Sequence, residues 1–436
     1  MNNDQRIITV VSLSLLACFG CQRSVAGAAA AKSVTLTNGI RVVAVHFPGS
    51  TNEAIFTYLP MSLTSDGPRQ SQWAHLVEHL VIRSTVPVNS PMANAETLPD
   101  HMRLDFYGHT GNWKEGVRHT ADWLRGVPFA QRNLDAEKPK AKSECDFTVR
   151  NFATHKFAMA AWAQGFRHEQ KHAALKGDVD RATLAEIQTC RDERLVVLSN
   201  VVVCAVGGIE PAKLLPVLEE KLGAIQSRAR PAPPVKTHPG DRDMTWDLKA
   251  RHLVLTWPIP DADGADYPAL MIAAQWLTMQ FFSDEELKKL TGMVIAGADL
   301  VTPEGNFFYV SASLRPGASF EAVLEIIDRH LRQLAAGKGD SSLLPIIGKQ
   351  MAESLTLLAD LSAMKSQLPP NVSPAMLEMN LGLQWGMNEF RYGAHKAALA
   401  QTLATVEAAG VAKAMVQHLT DAKRTRLTLK SSATVR

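Results

Sequence analysis

The chain has 436 residues, 46% of them apolar and 20% charged, with a formal net charge of +3. That length exceeds one ordinary hydrophobic core and predicts at least two domains, and the composition excludes a disordered chain. A near-neutral balance with no long basic run excludes a nucleic-acid-binding surface.

Residues 7–19 are almost uninterrupted apolar sequence behind Arg6, followed by small residues. This predicts a secretory signal peptide, too short for an ordinary membrane span. Leu15-Leu16-Ala17-Cys18 resembles a bacterial lipobox, which would make Cys18 the lipidated first residue and attach the protein to a membrane. The alternative is cleavage within residues 26–31 and release into the periplasm. Residues 1–32 are therefore assigned to the leader, and no later run is long and apolar enough to span a bilayer.

Ser33-Val34-Thr35-Leu36 and residues 41–45 read as strands joined by a Thr37-Asn38-Gly39 turn. Next comes an amphipathic helix with Trp73, Leu76, Val77 and Leu80 on its apolar face. Within it lies His75-Leu76-Val77-Glu78-His79. Positions i and i+4 stack one turn apart on one helix face, so both imidazoles can converge on one ion. Glu78 sits beside them, where it could take a proton from a metal-activated water. The pattern is the inverted H-x-x-E-H form of a zinc-hydrolase motif.

A strand at residues 104–107 and a helix at residues 113–124 follow. Zinc needs a third protein ligand, and Glu144 is the candidate. Glu137 and Glu144 are seven residues apart, two helical turns, and share one side. Pro139 is comfortable only in a first turn, which predicts that this helix starts close to residue 137. Lys138, Lys140 and Lys142 read as a solvated face. Cys145, Cys190 and Cys204 are an odd set, of which an oxidising compartment would permit one bridge; Cys145 reads as a packing residue, because adjacent helix positions point about 100° apart.

Residues 226–243 contain Pro231, Pro233, Pro234 and Pro239 without an apolar period, and read as a linker. Beyond it come a strand at 253–257, a helix at 267–279, a strand at 307–314, and a helix with Phe320, Val323, Leu324, Ile327, Leu331 and Leu334 on one face. The strand–turn–helix at 307–334 mirrors the one at 104–124. No second H-x-x-E-H occurs, and His330, His395 and His418 read as surface or satisfied core residues.

The H-x-x-E-H helix, Asn94-Ala95-Glu96-Thr97, the pair Glu137 and Glu144, and a buried run at 199–208 ending in Gly207-Gly208 come in an order that resembles the M16 zinc peptidases (insulinase, pitrilysin and mitochondrial processing peptidase relatives). The likeness covers nearly the whole mature chain. It implies an α+β fold of two homologous lobes, each a mostly antiparallel sheet packed with helices, the LuxS/MPP-like metallohydrolase architecture. The lobes would span 33–225 and 244–436. It further implies one Zn²⁺ per chain on His75, His79 and Glu144, with Glu78 as general base and Glu137 supporting the site. Asn94 and Ala95 would lie on an edge strand that binds an extended peptide substrate. His79 to Asn94 is shorter than in typical members, so the wall beside the metal should be trimmed.

Relatives that complete the cleft from the second lobe place an Arg and a Tyr near the strand matching 307–314. No such pair is legible there, and Arg391-Tyr392 lies elsewhere, which implies a homodimer or a heterodimer with a second M16-like subunit. The resulting expectation is an exported zinc metalloendopeptidase. One alternative is a catalytically inactive M16-like subunit that binds or stabilises a peptidase partner, although such subunits usually lose motif residues that are all present here. The other is an unrelated periplasmic binding protein with an accidental motif.

Overall fold

The computed structural model describes residues 30–66, 69–86, 92–98, 100–151, 176–226, 240–246, 250–302, 305–338, 342–356 and 373–431. Cys18 and nearly all of the predicted leader lie outside the described residues, as do residues 227–239 of the expected linker. The protein is an α+β molecule built on two sheets. The first contains β1 (Ala30–Thr35), β2 (Arg41–His46), β3 (Asn52–Leu59), β4 (Ala93–Thr97), β5 (Met102–His109) and β6 (Val202–Gly207), in the order β1-β2-β6-β3-β5-β4. The second contains β7 (Gly240–Trp246), β8 (Arg251–Ile259), β9 (Thr291–Thr302), β10 (Gly305–Leu314) and β11 (Thr425–Ser431), in the order β7-β11-β8-β10-β9. Two boundaries shift: β1 begins inside the segment assigned to the leader, and β7 inside the segment read as linker.

Set side by side, the sheets repeat. β2 runs parallel to β6 as β7 does to β11, and every further neighbour in both lists is antiparallel. The duplication legible as two strand–turn–helix units is therefore a duplication of whole sheets. The site helix, Trp73–Thr85, follows β3 as Tyr267–Ser283 follows β8. Where the first presents histidines, the second is apolar and buried along most of its length, including Ala269, Leu270, Ile272 and Ala273. His330 Nε2 lies 2.8 Å from Asp284 and His418 Nε2 lies 2.9 Å from Asp266, so each ring is held by a carboxylate, although His330 Nδ1 is buried without a partner among the described residues.

The first sheet is buried on both faces. Ile55, Leu59, Leu104 and Phe106 meet the site helix and the Trp113–Arg125 helix on one side. Phe56, Tyr58, Val202, Cys204 and Val206 form the other side, covered by the helix Pro374–Tyr392 from the second half of the chain. Two-sided burial explains why β6 reads as an unbroken apolar run. The covering helix lies close because of two glycines one turn apart: a Cβ at Gly382 would collide with Val206, and one at Gly386 with Tyr58 and Cys204. Among the described residues no disulfide forms, and Cys145, Cys190 and Cys204 are all buried. No described helix is long and apolar enough to cross a membrane.

The Glu144 helix corrects one expectation. It runs Gln131–Asn151 with Pro139 in its interior, starting six residues before Glu137. Proline costs about 3 kcal/mol there, by losing the bond to the residue 135 carbonyl and crowding it. Leu134 and Ala141, both 0% exposed, bury on either side of it and hold the helix through the break.

Glu53, on β3, is buried, and burial pushes its carboxyl up to about 8 against a hydrogen bond donated by the Ile209 N–H. The unfolded chain releases this proton from about pH 4.5 upward, while the folded chain keeps it until about pH 8. Stability from this group is thus intact below about pH 4.5, falls as pH rises, and levels off above about pH 8. Glu53→Gln is expected to stabilise the protein by up to about 5 kcal/mol at about pH 9 and by little at about pH 4.5. Thermal melts of both proteins check this; coincident curves at the higher pH exclude it.

Candidate metal centre

The site helix sets His75 and His79 one turn apart, and the Glu144 helix crosses it. His79 Nε2 lies 3.1 Å from His75 Nε2, and Glu144 Oε2 lies 3.3 Å from His79 Nε2 and 3.5 Å from His75 Nε2. Among the described residues this is the one set of three His, Cys, Asp or Glu groups close enough to share a metal ion. Zinc ligand atoms at about 2.0–2.1 Å in tetrahedral geometry stand about 3.3 Å from one another, so the triangle matches one face of such a tetrahedron. Two imidazole lone pairs and a carboxylate facing one another at that range repel unless a cation or proton sits among them. Two histidines and one glutamate are also a catalytic zinc donor set, leaving a fourth position open. The residues fit the ion.

Each ring is held from behind. His79 Nδ1 lies 3.1 Å from Glu137 Oε2, and His75 Nδ1 lies 3.1 Å from Gln72 Oε1. Glu137 is 4% exposed, and its other oxygen accepts from Lys140 Nζ at 2.8 Å. Burial opposes ionisation of Glu137, but the Lys140 and His79 hydrogen bonds hold its carboxyl below the usual range. Burial alone would lower His79; the Glu144 hydrogen bond, the Glu78 and Glu144 charges and the Glu137 hydrogen bond outweigh it and push the ring up to about 9. Hydrogen bonds from His75 and His79 hold Glu144 well below the usual carboxylate range, against the cost of its burial. The centre is poised for positive charge.

Glu78 is buried on the same helix, and its Oε2 accepts a 2.5 Å hydrogen bond from Thr97 Oγ1. Thr97 closes β4, the outer strand of the first sheet, on which Asn94 is exposed and Ala95 half-buried. Asn94 and Ala95 pair with Asp105 and Leu104 of β5, leaving the far edge of β4 without a strand partner among the described residues. Neither belongs to the metal triangle.

Two features were missed from sequence. Gln72 precedes His75 by three residues, a same-face helical spacing that marks it as a neighbour of that ring. The other had no local signal. Arg391 Nε donates to Asp100 Oδ2 at 2.9 Å and Nη1 to Asp299 Oδ2 at 3.1 Å, while Tyr309 OH donates to Asp299 Oδ1 at 3.1 Å. Tyr309, on the strand 307–314, thus meets Arg391 through Asp299, and the same arginine ties β9 to Asp100, just past β4.

Residues 182–343 match the family described as the peptidase M16 inactive domain. No curated protein matches the chain. Among solved structures, a protease from Helicobacter pylori is similar, with TM-score 0.68 and 17% identity, over 92% of this chain and all of that one. The periplasmic protease PqqL from Escherichia coli matches 94% of this chain with 48% of its own length, at TM-score 0.62 and 15% identity. A chain of complex III from Candida albicans matches at TM-score 0.68 and 10% identity, over 92% of this chain and 95% of that one. These likenesses show the two-lobed fold. The matched segment 182–343 contains none of His75, Glu78, His79, Glu137 or Glu144.

Proposed function

We propose that the chain, whose residues 182–343 match the peptidase M16 inactive domain, is an M16-type exported zinc metalloendopeptidase acting on peptides bound in extended form between its lobes. The observation that carries this reading is the triangle of His75, His79 and Glu144, with edges of 3.1, 3.3 and 3.5 Å. Zinc held there would supply Lewis-acid polarisation of a scissile carbonyl and of water. Glu78, kept in place by Thr97, accepts the proton of the attacking water and passes it to the leaving amine. Glu137 holds the plane of His79 so that its Nε2 lone pair points at the shared centre. The edge of β4 at Asn94 and Ala95 that has no strand partner among the described residues takes the substrate as an added strand, so main-chain hydrogen bonds give affinity with little sequence choice. The word inactive in the family description concerns a segment that starts after the last site residue.

Export rests on the apolar run at residues 7–19 behind Arg6, with a periplasmic location and Cys18 as the site of a lipid anchor. Partnering with a second copy or a second M16-like subunit is part of the same proposal. It draws support from PqqL, a longer protease of whose length this chain matches 48%.

The purified protein is expected to carry about one zinc per chain and to cleave a mixture of unstructured peptides, with activity lost to a chelator and restored by zinc. Absence of both metal and cleavage would leave the non-catalytic subunit as the reading.

A further inference from the structure

We infer that Gln72 is a positioning residue for the metal centre, fixing the tautomer and plane of His75 through a backbone held in an unfavourable conformation. The inference rests on the proposed zinc site and adds a residue to it. Gln72 is the N-cap of the site helix, at φ +69° and ψ 12°, the left-handed region. Among the described non-glycine residues only Arg69 shares a positive φ. Side chains with a Cβ rarely adopt this region unless their surroundings over-determine it.

They do so here, from two sides. Asp66 Oδ2 accepts from the Gln72 N–H at 2.8 Å, and its Oδ1 from the Ala74 N–H at 2.9 Å. Asp178 Oδ2 accepts from the Ser71 N–H at 3.0 Å, and the Asp178 carbonyl from Trp73 Nε1 at 2.8 Å. The turn is thus clamped to both carboxylates. The Gln72 side chain is consequently buried, 2% exposed, and folds back over the first helical turn onto His75.

The chemistry follows from which ring nitrogen faces which partner. His75 Nε2 faces His79 Nε2 at 3.1 Å and Glu144 at 3.5 Å, so its lone pair is the one a metal would use. The proton then belongs on Nδ1, and Gln72 Oε1 is the acceptor that keeps it there. Glu137 does the same for His79. One ligand ring is backed by a carboxylate and the other by a neutral amide, and the amide side depends on a strained residue. A glycine would adopt this backbone freely and would carry no acceptor.

Zinc affinity by chelator competition, with thermal unfolding of the metal-free proteins alongside, tests this on wild type, Gln72→Gly and Gln72→Glu. Gln72→Gly is expected to bind zinc about 10–100-fold more weakly while its metal-free form unfolds close to the wild-type temperature. Gln72→Glu restores an acceptor and is expected to bind at least as tightly as wild type. Cobalt(II) substituted for zinc should show an altered visible spectrum in the glycine variant alone. If that variant misfolds, Gln72→Met fills the same space with only a weak thioether acceptor and carries the same expectation. Wild-type affinity in Gln72→Gly or Gln72→Met overturns the inference, as does a Gln72→Glu protein no tighter than the glycine one. A wild-type protein that takes up no zinc overturns the metal centre itself, and this inference with it.

Discussion

Glu78→Gln is expected to keep the metal and to lose peptide turnover by about 10³-fold or more, the upper part of what a positioned general base contributes. Glutamine has the shape of glutamate and can still accept the 2.5 Å hydrogen bond from Thr97 Oγ1, so the site helix should pack unchanged. What it cannot do is bind the proton released as water attacks. The Glu78 charge is one of the influences that raise His79, so zinc affinity should weaken, though by less than about tenfold, because all three ligand atoms remain. Zinc content by emission spectroscopy and turnover of a fluorogenic peptide under saturating zinc separate the two effects. Turnover within tenfold of wild type would rule out Glu78 as the base, and a metal-free variant would mean that Glu78 is itself a ligand.

The legible part of the site was the part that obeys local periodicity. Four residues along a helix fix His75 against His79, and seven fix Glu137 against Glu144, before any tertiary contact is known. That the two helices cross, leaving Glu144 Oε2 3.3 Å from His79, is a tertiary fact that came only from resemblance. Pro139 misled because proline's helix-breaking tendency was weighed without the burial of Leu134 and Ala141 around it. Gln72 was invisible as a strained residue because nothing in its side chain asks for a left-handed backbone; Asp66 and Asp178 impose it from six and 106 residues away. The pairing of Tyr309 with Arg391 was missed for the same reason, since it depends on Asp299 and on a helix from the second half of the chain lying across the first sheet. In each case the missing information was a long-range contact overriding a local preference.

Glu144→Ala should remove the metal altogether. Among the three ligands only Glu144 brings a formal negative charge when the imidazoles are neutral, and without it two rings alone face a divalent ion. Its removal is therefore expected to exceed the about 10–100-fold loss that follows from deleting a supporting partner, the effect anticipated for Glu137→Gln. The side chain of Glu144 is 58% exposed, so truncation opens no cavity, and the metal-free variant should unfold near the wild-type temperature. The order of zinc affinities should run wild type, then Glu137→Gln, then Glu144→Ala, and this order distinguishes a ligand from a residue that aims one. Should Glu144→Ala retain a full equivalent of zinc, the third ligand lies elsewhere. Should both variants lose zinc equally, Glu137 coordinates directly, and the 3.1 Å contact between Glu137 and His79 would have to open when the metal binds.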